Sequence, residues 1–132
     1  MYKKARYLLS IILTIGLFSA CSGRNSAQSQ SSGYMISITA GALTVGTTDL
    51  LITVQDKAGN LINNAHVNIK GSMTHAGMQS VLGETSLANN GVYTIPYEWT
   101  MAGDWFVTVN VTLSDGTAVT EQFDFNGIGI GK

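Results

Sequence analysis

The chain has 132 residues, of which 45% are hydrophobic, 11% are charged and one is Pro. Charged residues ordinarily supply about 25% of a chain, so Gly, Ser, Thr and Asn carry the polar surface here, and a coiled coil, a basic nucleic-acid binder and an acidic disordered tail are excluded. A single Cys leaves no internal disulfide, and two His without further Cys exclude a zinc finger.

The basic residues gather at the start. Lys3, Lys4 and Arg6 lie in the first six positions, whereas beyond residue 20 four basic residues face eight acidic ones. That later part is not drawn to phosphate backbones or anionic lipid by bulk electrostatics, so no nucleic-acid partner is expected. Met1 to Tyr7 reads as a positive leader and Leu8 to Ala20 as a 13-residue apolar run. Such a run is signal-peptide length and too short for a spanning helix of about 20 residues. Residues 1–20 are therefore expected to be a signal peptide.

The end of that run, Leu17-Phe18-Ser19-Ala20-Cys21, resembles a bacterial lipobox, with Phe18 in the usual place of Leu. The resemblance implies cleavage before Cys21 and a diacylglyceryl group on its sulfur, with the lipid membrane as partner. The alternative, ordinary export, leaves Phe18 at the −3 position, where a small residue is wanted, and a free thiol in an oxidising compartment. Two or more acyl chains anchor stably. The expected location is the cell envelope, lipid-anchored and facing the periplasm or the cell exterior. Residues 21–33 hold the lipidated Cys and a Ser-rich stretch, SGRNSAQSQSSG, with no apolar residue larger than Ala. It is expected to be a flexible linker.

From Tyr34 to Lys132 the apolar period is two. Leu50, Ile52 and Val54 alternate with Leu51, Thr53 and Gln55; Val67 and Ile69 alternate with His66, Asn68 and Lys70; Trp105, Val107, Val109, Val111 and Leu113 alternate with Phe106, Thr108, Asn110 and Thr112. Strict alternation marks a strand with one face on a core. Strands are predicted near 35–39, 49–55, 65–70, 79–87, 92–98, 104–113 and 117–125, separated by turn signals such as Asn89-Asn90-Gly91. About seven short strands over residues 34–132 predict an all-β fold, an immunoglobulin-like β-sandwich.

The last hairpin has a testable register. A two-residue loop at Asp115-Gly116 would put the apolar faces of its strands on opposite sides. A three-residue loop, Ser114-Asp115-Gly116, pairs Val111 with Val119, Val107 with Phe123 and Trp105 with Phe125. Register follows the buried face, and Gly116 supplies the left-handed residue that such a loop needs. The tail from Asn126 to Lys132, with Gly at every second position, is expected to fray.

No nucleophile elbow, P-loop or glycine-rich dinucleotide turn occurs. The carboxylates mostly sit at strand ends and turns (Asp49, Asp56, Asp104, Asp115), and His66 reads as a polar surface residue. No enzyme is expected. One segment differs: Gly71-Ser72-Met73-Thr74-His75-Ala76-Gly77-Met78-Gln79. Met73 and His75 are two apart and point the same way in an extended chain. Gly77 permits a turn that swings Met78 back toward them. Two thioethers and an imidazole suit Cu(I) rather than Mg or Ca, so Met73, His75 and Met78 are the candidate metal ligands. The plainer reading makes both Met residues core fillers and His75 a solvated turn residue.

The pattern from about Thr48 to Phe125 resembles the YtkA-like family, related to FixH-like envelope proteins. The resemblance rests on the strand and Asp-x-x-Gly turn from Leu50 to Gly59, on Asn64-Ala65-His66-Val67-Asn68-Ile69, on Met73 to Met78, and on Asn90-Gly91-Val92-Tyr93. It rests most on Met101-Ala102-Gly103-Asp104-Trp105 leading into an alternating Val strand. Leu61 and Ile62 stand where the family usually has Pro, and Thr74-His75-Ala76-Gly77 replaces a Met-Pro ahead of the second Met. The resemblance implies a non-enzymatic envelope role in copper handling, or accessory to a copper-dependent respiratory assembly system. The partner would then be a copper-handling or membrane protein. The rival reading is a metal-free interaction module that docks a membrane partner by a sheet edge or by loops.

Overall fold

A computed structural model describes residues 26–31, 33–75 and 77–132. The signal peptide expected over 1–20 and the lipidation expected at Cys21 lie outside the described residues. Nine strands are described: β1 (Ser26–Ser31), β2 (Tyr34–Ala40), β3 (Gly46–Asp56), β4 (His66–Met73), β5 (Val81–Thr85), β6 (Ala88–Asn89), β7 (Val92–Trp99), β8 (Gly103–Thr112) and β9 (Ala118–Ile128). They form two antiparallel sheets, ordered β1-β2-β3-β7-β6 and β5-β4-β8-β9. The result is an immunoglobulin-like sandwich. Seven of its strands fall where the alternation puts them, with shifted ends.

Alternation turns one face of each strand to the core. Ile36 and Ile38 of β2, Leu50, Ile52 and Val54 of β3 and Tyr93, Ile95, Tyr97 and Trp99 of β7 face Val67, Ile69 and Met73 of β4 and Trp105, Val107, Val109 and Val111 of β8. In β9, Val119, Phe123 and Phe125 complete that layer. The β8–β9 hairpin has the expected register, Val111 with Val119, Val107 with Phe123 and Trp105 with Phe125. Its three-residue loop is closed by the Leu113 N–H donating to the Thr117 carbonyl (2.8 Å), with Gly116 at φ 87°.

Two expectations about the ends of the chain are corrected. The stretch expected to be a flexible linker contains β1, which pairs along β2 from Ser26 with Thr39 to Ser31 with Tyr34. A strand at a sheet edge can be held by main-chain hydrogen bonds alone, so it needs no apolar face and leaves no alternation to read. The tail expected to fray is pinned instead. Ile128 is buried, the Gly129 N–H donates to the Leu43 carbonyl (2.9 Å), and the Val45 N–H donates to the Gly129 carbonyl (2.8 Å). The tail thus stitches the end of one sheet to the β2–β3 connection of the other.

The strand directions give the sandwich two distinct ends. Residues 57–65, 86–91 and 113–117 connect strands at one, here the turn end. Residues 41–45, 74–80 and 100–102, with the tail 129–132, lie at the other, the loop end.

Candidate functional site

The Met–His segment leaves the sandwich at the loop end. Strand β4 runs three residues further than its alternation suggests, and Met73 is its last residue, paired with Trp105. Parity decides its fate. Val67, Ile69, Gly71 and Met73 all point inward, so Met73 lies in the core at 5% exposure. Its methyl packs over Gly103, where an added Cβ would come within 2.9 Å of it. His75 is exposed beyond the strand end, and Met78 is half-buried against the core cluster. The loop is closed at its base by the Ser72 and Ser80 hydroxyls, 2.8 Å apart.

The three candidate ligands therefore occupy three different environments. Met73 is a core residue, Met78 rests on the core edge, and His75 stands in solvent. Of the three candidate donors Met73, His75 and Met78, two lie at or beyond the core edge and one, Met73, packs in the core against Gly103. Met101, in the neighbouring connection, is the more exposed thioether at this end, at 47%.

An aromatic cluster supports the loop end from below. Trp99 meets Tyr97 edge-on at 4.8 Å between ring centroids and Trp105 edge-on at 5.5 Å, and Phe125 lies at 5.3 Å. Each indole reaches outward to a loop: Trp99 Nε1–H donates to the Ala42 carbonyl and Trp105 Nε1–H to the Met101 carbonyl, both at 2.9 Å. Two of the loops are thus fixed by side chains that are themselves locked in the core. Tyr97 leans across to β4, where Gly71 makes room for it; a Cβ at position 71 would lie 1.7 Å from the Tyr97 hydroxyl oxygen. That hydroxyl is buried and has no hydrogen-bond partner among the described residues, and burial pushes the phenol pKa up.

His66, read as a lone surface residue, has company. Its Nδ1 lies 2.7 Å from the Ser86 hydroxyl and its Nε2 lies 3.3 Å from a Glu84 carboxylate oxygen. The β4–β5 register, Asn68 with Glu84, puts the carboxylate diagonally across from the ring. A Ser, His and Glu in contact invite comparison with a hydrolytic triad. This one lies on an open strand face, with the His66 side chain 42% and Glu84 71% exposed. Water screens such a pair, and no cleft excludes it around a reacting atom. Beside it, Asn68, Lys70, Leu82, Glu84 and Asn110 line an open depression of about 560 Å³. No group of three or more His, Cys, Asp or Glu is arranged to hold a metal among the described residues.

With this geometry in view, comparison with known proteins adds the following. The sequence model of the YtkA-like family matches residues 28–110. The crystal structure of the PmoD soluble domain from Methylocystis sp. ATCC 49242 (Rockwell) has a TM-score of 0.50 at 14% identity, over 75% of this chain and 94% of that one. The crystal structure of the Lin-41 filamin domain has a TM-score of 0.45 at 17% identity, over 76% and 91%. At 14% identity the PmoD likeness concerns the fold alone. No curated protein matches the chain.

Proposed function

The chain belongs to the YtkA-like family, and on that footing we propose that it is a non-enzymatic accessory protein of the bacterial cell envelope. Lipid on Cys21 holds it to a membrane, and its loop end is the face that makes contact there. The observation that carries this reading is the construction of that end. Two loops and the tail are braced by two buried indoles and by the main-chain bonds of Gly129, yet they present Val45, Met101 and Ile130 to solvent. A braced rim with exposed apolar tips is pre-organised for contact and loses little freedom on binding. Anchoring is tested by the mass of the N-terminal peptide and by Cys21→Ala, which should move the protein from the membrane fraction to the soluble one.

Copper handling is the second reading, and one observation favours it. His75 and Met78 share a loop, and Met101 stands in the next connection at the same end. These are soft or borderline donors, suited to Cu(I). The burial of Met73 speaks against its membership. Competition for Cu(I) against a chromogenic chelator separates the readings. A copper site on the loop predicts uptake that is lost in His75→Ala and Met78→Ala and kept in Met73→Leu. Uptake no better than that of the His75→Ala, Met78→Ala double variant leaves the metal-free docking module.

A further inference from the structure

Exposed apolar side chains occur at both ends of the sandwich, but their neighbours differ. At the turn end, Leu61 and Leu87 share the surface with the carboxylates of Asp56 and Asp115 and with Asn60, Asn63, Asn64, Asn89 and Asn90. At the loop end, Val45, Met101 and Ile130 are exposed, and residues 41–45, 74–80, 100–102 and 129–132 contain no Asp or Glu at all. The one charged side chain in those four segments is Lys132. Carboxylates resume further back on the strands, at Glu98 and at Asp104, which accepts a hydrogen bond from the Gly127 N–H at 2.8 Å.

The course of β1 bears on which end meets the lipid. Read backwards from Ser31 to Ser26, it runs toward the loop end, and Ser26 lies level with Thr39, hence with Leu51 in the middle of β3. Only residues 22–25 separate Cys21 from β1. Fully extended, the path from Cys21 to Ser26 covers at most about 18 Å. The remaining length of β3, from Leu51 to Gly46, is about 17 Å at the rise of an antiparallel strand. Continuing in its own direction, the chain just reaches the loop end. To carry the lipid to the turn end it would have to reverse and cover a similar distance after spending residues on the turn.

We propose that the loop end rests on the lipid bilayer, with Val45, Met101 and Ile130 entering the boundary between headgroups and acyl chains. The proposal rests on the acylation of Cys21 and adds an orientation to it. Apolar tips whose own segments hold no Asp or Glu cross into that boundary without dragging an acidic side chain of those segments out of water. The same tips at the turn end would bring Asp56 and Asp115 with them. Seated this way, the loop that carries His75 and Met78 lies at the lipid surface and the turn end faces away.

The test uses the full chain, processed and acylated, in vesicles of phosphatidylethanolamine and phosphatidylglycerol that carry a nitroxide-labelled lipid. Three variants, Met101→Cys, Ile130→Cys and Leu87→Cys, each take an environment-sensitive fluorophore; an acylated Cys21 does not react. Leu87 is the control, because it is as exposed as Ile130, 82% in each case, and lies at the opposite end. Labels at 101 and 130 should shift to the blue and be quenched severalfold more than the label at 87. Equal quenching at all three positions, or the strongest at 87, overturns the orientation. The mass of the N-terminal peptide is read from the same preparation. Acyl mass present with 101 and 130 unquenched overturns the orientation alone, and acyl mass absent overturns it together with the anchoring.

Discussion

The two ends of the sandwich are held in different ways. At the turn end, polar side chains in and beside the connections close them. Asp56 accepts from the Ala58 and Asn60 N–H groups, Asp115 from the Thr117 N–H, and Asn63 from the Gly91 N–H. The Tyr93 hydroxyl donates to the Ile62 carbonyl at 2.8 Å and accepts from the Ala65 N–H at 3.0 Å. At the loop end, two buried indoles do the bracing, Trp99 through Ala42 far away in sequence and Trp105 through Met101 close by. The lesson is a division of labour: polar side chains at the surface fix the turn end, while the loop end is free to vary its exposed side chains because its support comes from buried indoles beneath it.

That division is broken most severely by removing the support. Trp99→Ala empties a fully buried indole site and frees the Ala42 carbonyl, and should cost about 3–5 kcal/mol, read as a lowered urea midpoint. A loss no larger than that of a surface change would mean that the aromatic cluster does not brace the loop end. At the turn end the counterpart is Tyr93→Phe. It keeps the ring, removes one hydroxyl and strands two main-chain groups, for a loss of about 1–3 kcal/mol. Cu(I) uptake and vesicle contact should be unchanged in Tyr93→Phe, since its effects belong to the other end. Tyr97→Phe has the opposite sign. Deleting a buried hydroxyl with no partner should raise stability by about 1 kcal/mol, and an unfolding midpoint that falls would show that the hydroxyl has a use.

Much of this organisation was legible in the residues, and what was not has physical causes. Alternation located seven strands, and the requirement that apolar faces agree chose the β8–β9 register before any coordinates. The same parity, carried past Gly71, would have turned Met73 inward. Gly71 hides it, because the side chain that fills that inward position is Tyr97, from the opposite sheet, a contact that no local pattern contains. The strand β1 is equally silent, since Ser and Gln show no apolar period. The tail shows no such signal either, because it is held by residues 43–45, far away in sequence. The candidate site was thus legible as a segment and not as a geometry. His75 and Met78 stay at the surface rim, while Met73 goes to the core for reasons of parity alone. The contacts of His66 with Glu84 and Ser86 depend on the β4–β5 register, which the spacing did not supply.

The smallest expected effect separates the two ends by pH. The carboxyl of Asp56 is held below its ordinary 3.8, first by the Asn60 side-chain amide and then by the Asn60 main-chain N–H, with smaller help from Ala58 and Gly59. Asp115 is lowered too, chiefly by the Thr117 N–H. A group whose pKa is lower in the folded chain binds fewer protons there than in the unfolded one, so stability rises with pH across the interval between the two values. The contribution of these turns is therefore complete above the unfolded value of 3.8 and is lost as pH falls through the folded one. Both residues are fully exposed, so the effect is small, and it belongs to the turn end alone. Asp56→Asn keeps a carbonyl oxygen to accept from residues 58 and 60 and removes the titration. Urea midpoints at about pH 5 and about pH 3 should therefore fall further for the native chain than for Asp56→Asn. Equal falls in the two proteins would mean that folding does not hold the Asp56 carboxyl below its ordinary value.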